Sequence, residues 1–207
     1  MKDNNNNSKQ VLLSVLGVAI LVVAVVGVSF AAFSYSKTGE KVNTITTGTI
    51  TMSYSETTNG INLTNALPMT DEVGKTLSEE NQYFDFTVGA TISGTTTINY
   101  AITAAKISPD STLPDNAVKV YLTDMDASDK AVSGYETAKK VSELTTATDS
   151  EASGAPEGQY ILHTGTYTAT TTNRYRLRMW VADDYAAPAS TQTYKLRVNV
   201  YGRATAQ

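Results

Sequence analysis

The sequence predicts an all-β protein: an antiparallel β-sandwich behind an N-terminal hydrophobic segment. Three observations predict it. The body is rich in Thr, Tyr, Val and Ile and poor in Leu and Phe, with 12 Tyr against 4 Phe, a strand-forming composition. Beyond Lys37 the apolar residues recur with period two, in runs separated by turn residues. Ahead of them, Val11 to Phe33 carries no charge for 23 residues.

That uncharged run is the first element. As a helix it spans about 34 Å, enough to cross a hydrocarbon core of about 30 Å. Length alone favours a retained anchor, because the hydrophobic core of a signal peptide usually has about 7–15 residues. The end of the run favours cleavage. Gly27, Ser29, Ala31 and Ala32 are small, and Ser29 with Ala31 fit a small-x-small site cut after Ala31. A cut after Ala32 would put the bulky Phe30 where a small residue is wanted. Lys2 and Lys9 precede the run, which places the body outside the cell in either case. The chain therefore divides into a signal peptide or anchor (1–31), an N-terminal arm (32–46) and a sandwich domain (47–207).

Each strand rests on its own pattern. Thr44–Tyr54 reads as one strand broken or bulged at Gly48. Gln82–Val88 puts Phe84, Phe86 and Val88 on one face, and Thr96–Thr103 aligns Ile98, Tyr100 and Ile102. Val118–Leu122 and Gln159–His163 are shorter. Arg174–Val181 alternates Tyr175, Leu177, Met179 and Val181 with Arg174, Arg176, Arg178 and Trp180. Tyr194–Tyr201 aligns Leu196, Val198 and Val200. Seven or eight such strands make an antiparallel sandwich. Lys139–Leu144 reads as a helical turn or two, and 145–158 and 185–190 as loops.

Composition excludes several functions. Without residues 1–31 the chain has 14 basic against 19 acidic residues, so no basic face predicts nucleic acid as a partner. The absence of Cys excludes disulfides and thiolate chemistry; in an exported protein this fits a Gram-positive surface. One histidine, His163, cannot build a usual zinc site, and no nucleophile-elbow motif accompanies it. It reads as a surface strand residue. No catalytic residue and no cofactor are expected. Asp124, Asp126 and Asp129 could offer carboxylates to calcium but lack EF-hand spacing, and a solvated hairpin loop is the simpler reading. Leu67–Asp71 (LPMTD) echoes a sorting signal but reads as a turn leaving a strand around Ile61–Leu63. If the last two strands pair, Arg176, Arg178, Lys195 and Arg197 form a basic stripe that either meets an acidic partner or guards the sheet against unwanted pairing.

The stretches SFAAFSYS, NTITTGTITMSYS, NLTNALPMTDEVGKTLSEENQYFDFTV and YKLRVNVYGRAT, in that order, resemble the TasA/camelysin family of Gram-positive exported proteins. Asn43–Ile50 matches the family's N-x-F-x-x-G-T-hydrophobic strand with Ile45 for Phe, and Phe84-Asp85-Phe86 matches its F-x-F strand. Asn65–Asp71 matches the N-L-x-P-G-D turn loosely, with Met69-Thr70 in place of Gly. The likeness runs from about Leu12 to Thr205, and Asp110–Thr170 diverges from it. It implies a jelly-roll sandwich, processing by a SipW-type signal peptidase within Ala31-Ala32, and assembly of copies of the chain into extracellular biofilm-matrix fibres. It also implies that the freed arm lies as a donor strand in the next subunit. The metalloprotease activity described for camelysins does not carry over, because the ligands are missing.

Independently of the family, a cut would free Ala32, Phe33, Ser34, Tyr35 and Ser36 as an extended arm able to add to a neighbour's sheet edge. Donor and acceptor are different surfaces, so the contact propagates head-to-tail as an open filament. Burying Phe33 and Tyr35 and forming about four ladder bonds supplies about 5–12 kcal/mol, against an association cost of about 4–15. A donor reaching about Thr44–Thr46, or body-to-body contact beside it, is therefore expected. The competing reading is a membrane-anchored monomeric sandwich, its leader retained, with Trp180, Tyr201 and Tyr83 as a platform for glycan or wall polymer.

Overall fold

The computed structural model describes residues 15, 16, 18, 34–38, 45–47, 50–63, 66–186 and 190–205. The expected leader helix, apart from three helical positions, and the cleavage residues Ser29, Ala31 and Ala32 lie outside them, as do Phe33 and the turn at Gly48.

Among the described residues, eleven strands form two antiparallel sheets. The smaller holds β1 (Ser34–Thr38), β11 (Leu196–Thr205), β5 (Thr97–Lys106) and β9 (Tyr160–Tyr167), in that order. The larger runs β2 (Ile45–Thr47), β3 (Ile50–Glu56), β4 (Tyr83–Ile92), β10 (Thr171–Val181), β6 (Val118–Asp124) and β7 (Lys130–Ala131), with β8 (Lys139–Lys140) also on β6. The alternating residues of both sheets meet between them. Met52, Phe86, Val88, Ile98, Ile102, Val120, Leu122 and Val200 are fully buried in one core, and Phe86 stacks on both Phe84 and Tyr175. Gly202 of β11 admits the Sδ of Met52 where a Cβ would stand, 2.0 Å away, so the sheets close tightly there.

Several sequence expectations are corrected. Within the 44–54 stretch the strand is broken, as one of the two alternatives had it, and not bulged: β2 and β3 pair as a hairpin, Thr47 with Ile50 and Ile45 with Met52. Ile61–Leu63 is irregular chain. The LPMTD segment bridges Met69 to Ala182, and its Asp71 opens the short helix α1 (Asp71–Gly74). Lys139–Leu144 is β8 followed by a 3-10 turn, Val141–Glu143. The 145–158 segment is a loop, as expected, and three of its residues, Ala147, Ser153 and Ala155, are buried, so that it forms a flap. Its Ala147 and Ala155 lie with Ala101 and Tyr201 on the outer face of the smaller sheet. Gln159, at the end of this flap, donates to the Tyr201 hydroxyl and accepts from Thr103 and Asn199.

Candidate assembly edge and the fate of the predicted sites

The part of the predicted arm that is described is a strand. Ser34, Tyr35 and Ser36 stand opposite Arg203, Gly202 and Tyr201, and the ladder continues through Lys37–Val200 to Thr38–Asn199. Among the described residues β1 pairs with β11 alone and ends the smaller sheet. Its described residues are Ser34–Thr38, and the next described segment, Ile45–Thr47, belongs to the other sheet. The expected reach of the arm to about Thr44–Thr46 falls partly on residues 39–44, outside the described residues.

β11 is held from its other side and from its start. Along its whole length it pairs with β5, from Leu196–Lys106 to Thr205–Thr97. Just before β11, Tyr194 donates a 2.8 Å hydrogen bond to Asp115. The same carboxylate accepts from Lys106 of β5 at 2.7 Å and from Tyr160 of β9 at 2.6 Å. Burial raises the Asp115 carboxyl, but hydrogen bonds from Lys106, Tyr160 and Tyr194 outweigh it and hold the acid below its usual range. Burial, reinforced by the Asp115 charge, pushes the Tyr160 hydroxyl up to about 12. One acid therefore ties together the ends of three strands in their intended order.

The aspartates proposed for calcium are spent on the protein itself. Asp124 accepts from the backbone N–H groups of Asp126 and Ala127, the Asx geometry of a tight turn. Asp126 accepts from the Nε and backbone N–H of Arg174, which lowers its pKa. Asp129 takes a two-pronged bond from Arg178, 3.0 Å at Nη1 and 2.6 Å at Nη2. Among the described residues no group of three or more His, Cys, Asp or Glu could hold a metal.

The basic stripe does not form. Arg176 and Arg178 lie on β10 and Arg197 on β11, and these strands sit in different sheets. Arg178 is buried, donating through Nε to the Leu77 carbonyl. Arg176 forks onto Asp85 with its guanidinium 3.8 Å from the Tyr83 ring centre. Lys195 bonds Asp110. The aromatic platform fails in the same way: Trp180 is 2% and Tyr201 5% exposed. Trp180 lies with Leu77 and Ala138 beneath the α1 segment, where Gly74 rests against its indole. Tyr83, half-buried, lines a polar hollow of about 420 Å³ with Glu56, Asn59, Glu80 and Asn81. His163 is not a plain surface residue. It is half-buried between Tyr100 and Tyr175, whose hydroxyls share a 3.0 Å bond, and burial lowers its pKa.

No protein-family model, no curated protein and no solved structure matches the chain.

Proposed function

We propose that this chain is a non-enzymatic structural subunit of an extracellular fibre or biofilm matrix, a jelly-roll-like sandwich exported through the membrane by its leader. In this reading a SipW-type signal peptidase cuts within Ala31-Ala32, and the freed arm adds to the β11 edge of the next copy. The observation that carries the reading is the place of β1. The strand nearest the expected cut is, among the described residues, a terminal strand of five residues joined to one neighbour. A copy of the same strand from another chain would meet the same backbone groups on β11, so exchange costs no new surface and converts a monomer into a head-to-tail filament. The limited energy of so short a ladder calls for body-to-body contact beside it, because residues 45–47 are already paired with β3.

The test is deletion of Ala32–Ser36 from the exported protein. The expected outcome is a folded monomer without filaments by electron microscopy; filaments at normal yield refute donation. The second reading, an anchored monomer binding glycan, keeps only the hollow beside Tyr83. N-terminal sequencing of the exported material separates the two: a start at Ala32 supports processing, and a membrane-bound chain beginning Met1-Lys2 supports anchoring.

A further inference from the structure

The smaller sheet has a second end. β9 pairs with β5 on one side. On the other, the flap covers only its beginning, where Thr146 bridges Tyr160 and the Ile161 N–H reaches the Thr145 carbonyl. Among the described residues no strand lies beyond His163–Tyr167. Those five residues, HTGTY, contain no Pro and no Lys, Arg, Asp or Glu, and Thr164 and Thr166 are exposed.

Open edges of this kind invite pairing, and proteins usually blunt them with short strands, lysines or proline. The larger sheet does so. β2 has three residues, while β7 and β8 have two each and carry Lys130, Lys139 and Lys140. The upper half of β9 is left unguarded. Its length equals that of β1, which has five residues and, among the described residues, no strand on its outer edge.

We propose that the open half of β9, His163–Tyr167, pairs antiparallel with residues 34–38 of a second copy. Direction supports that occupant. All three pairings of the smaller sheet are antiparallel, so its four strands alternate and the terminal strands β1 and β9 run in opposite senses. Simple repetition of the subunit then brings β9 of one copy antiparallel to β1 of the next, with no reversal of either body. This rests on the fibre reading and supplies the contact beside the arm which that reading lacks. A donated β1 is gripped on both edges, by β11 of one copy and by β9 of another, and the sheet runs on through the filament.

The test uses exported protein produced from the full chain, with thermal unfolding and electron microscopy on each variant. Thr166→Lys places a charge on the open edge, and Thr172→Lys places the same charge at an exposed site on β10. Expected are folded protein for both, with a small drop in melting temperature for T166K, which gives up the exposed hydrogen bond from Thr166 to Asn99, a roughly tenfold lower fibre yield for T166K, and wild-type fibres for T172K. Wild-type fibres from T166K, or equal losses from both variants, overturn the docking and leave the fibre reading standing. If correctly cut wild-type material forms no fibres, the fibre reading falls and the docking with it. Because the chain has no cysteine, the pair Lys37→Cys with Thr164→Cys gives an independent answer even if T166K misfolds. Disulfide-linked ladders on non-reducing gels of assembled material support the pairing, and monomers alone overturn it.

Discussion

Replacing Asp129 by Asn should destabilise the sandwich through a guanidinium 49 residues away in sequence. Arg178 is 2% exposed, and Asp129 supplies its two-pronged carboxylate partner while also accepting from Thr123. Removing one member of a buried pair costs about 3–5 kcal/mol. Two features reduce that figure. The Asp129 side chain is 36% exposed, so water screens the stranded charge, and Arg178 keeps its 2.7 Å bond to the Leu77 carbonyl. The expected cost is about 2 kcal/mol. Asp129 also has φ of 60°, a left-handed conformation that Asn tolerates and Ala does not, so Asp129→Ala should cost about 1 kcal/mol more. Urea unfolding followed by the fluorescence of Trp180, the only tryptophan, reads both variants, since Trp180 packs on Leu77 itself. Acid supplies a second reading. Burial raises the Asp129 pKa, but the bonds from Arg178 and Thr123 lower it further, to a net value below 3.8. Its contribution is therefore present above the unfolded value and lost as pH falls through the folded one, so wild type and D129N should converge at low pH. A cost below about 0.5 kcal/mol for D129N at neutral pH, the range of an ordinary surface change, refutes the reasoning.

Two further outcomes follow from single sites. Gly74→Ala drives a Cβ to 2.2 Å from a carbon of the Trp180 indole; a loss of about 1–3 kcal/mol, with an altered near-ultraviolet dichroism band from the displaced ring, is expected in thermal and urea melts. His163 has its folded pKa lowered by burial, against a smaller opposing pull from Asp124. The unfolded chain then binds the proton more readily, and stability should fall as pH drops from about 6.5 through the folded value. In His163→Gln that part of the slope between pH 7 and 5 should vanish from the urea midpoints, and an unchanged slope sinks the assignment.

Period-two alternation made the long strands legible because one face of each meets the core. Phe84, Phe86 and Val88 are buried as expected, as are Ile98, Tyr100 and Ile102. It misled at Arg178 and Trp180, which point away from the core yet are buried, because Leu77 and Ala138 come from distant segments to cover them. The flap was illegible for a related reason. Ala147 and Ala155 look like loop filler, and what they cover, Ala101 and Tyr201, lies on another strand far along the chain. Strand neighbours were the weakest inference. Chain order suggested that the last two long strands pair, whereas Asp85 on β4 and Thr123 on β6 flank Arg176 on β10. The five described residues of the arm gave no hint of their partner, since a short run with one Tyr matches many edges equally.

The division of labour inside the smaller sheet bears directly on whether an end strand can be exchanged. For β1 to leave β11 without unravelling the sheet, β11, β5 and β9 must hold one another by means that β1 does not share. Two sets of bonds join those three strands. Asp115 joins Lys106, Tyr160 and Tyr194 at one end, and Gln159 joins Thr103, Asn199 and Tyr201 across the outer face. Both sets draw on all three strands or their immediate flanks. Substituting either hub should therefore loosen the acceptor edge itself, whereas changes within the arm alter only its occupancy. That asymmetry is what an edge must have if its terminal strand is to be replaceable while the sandwich stays closed.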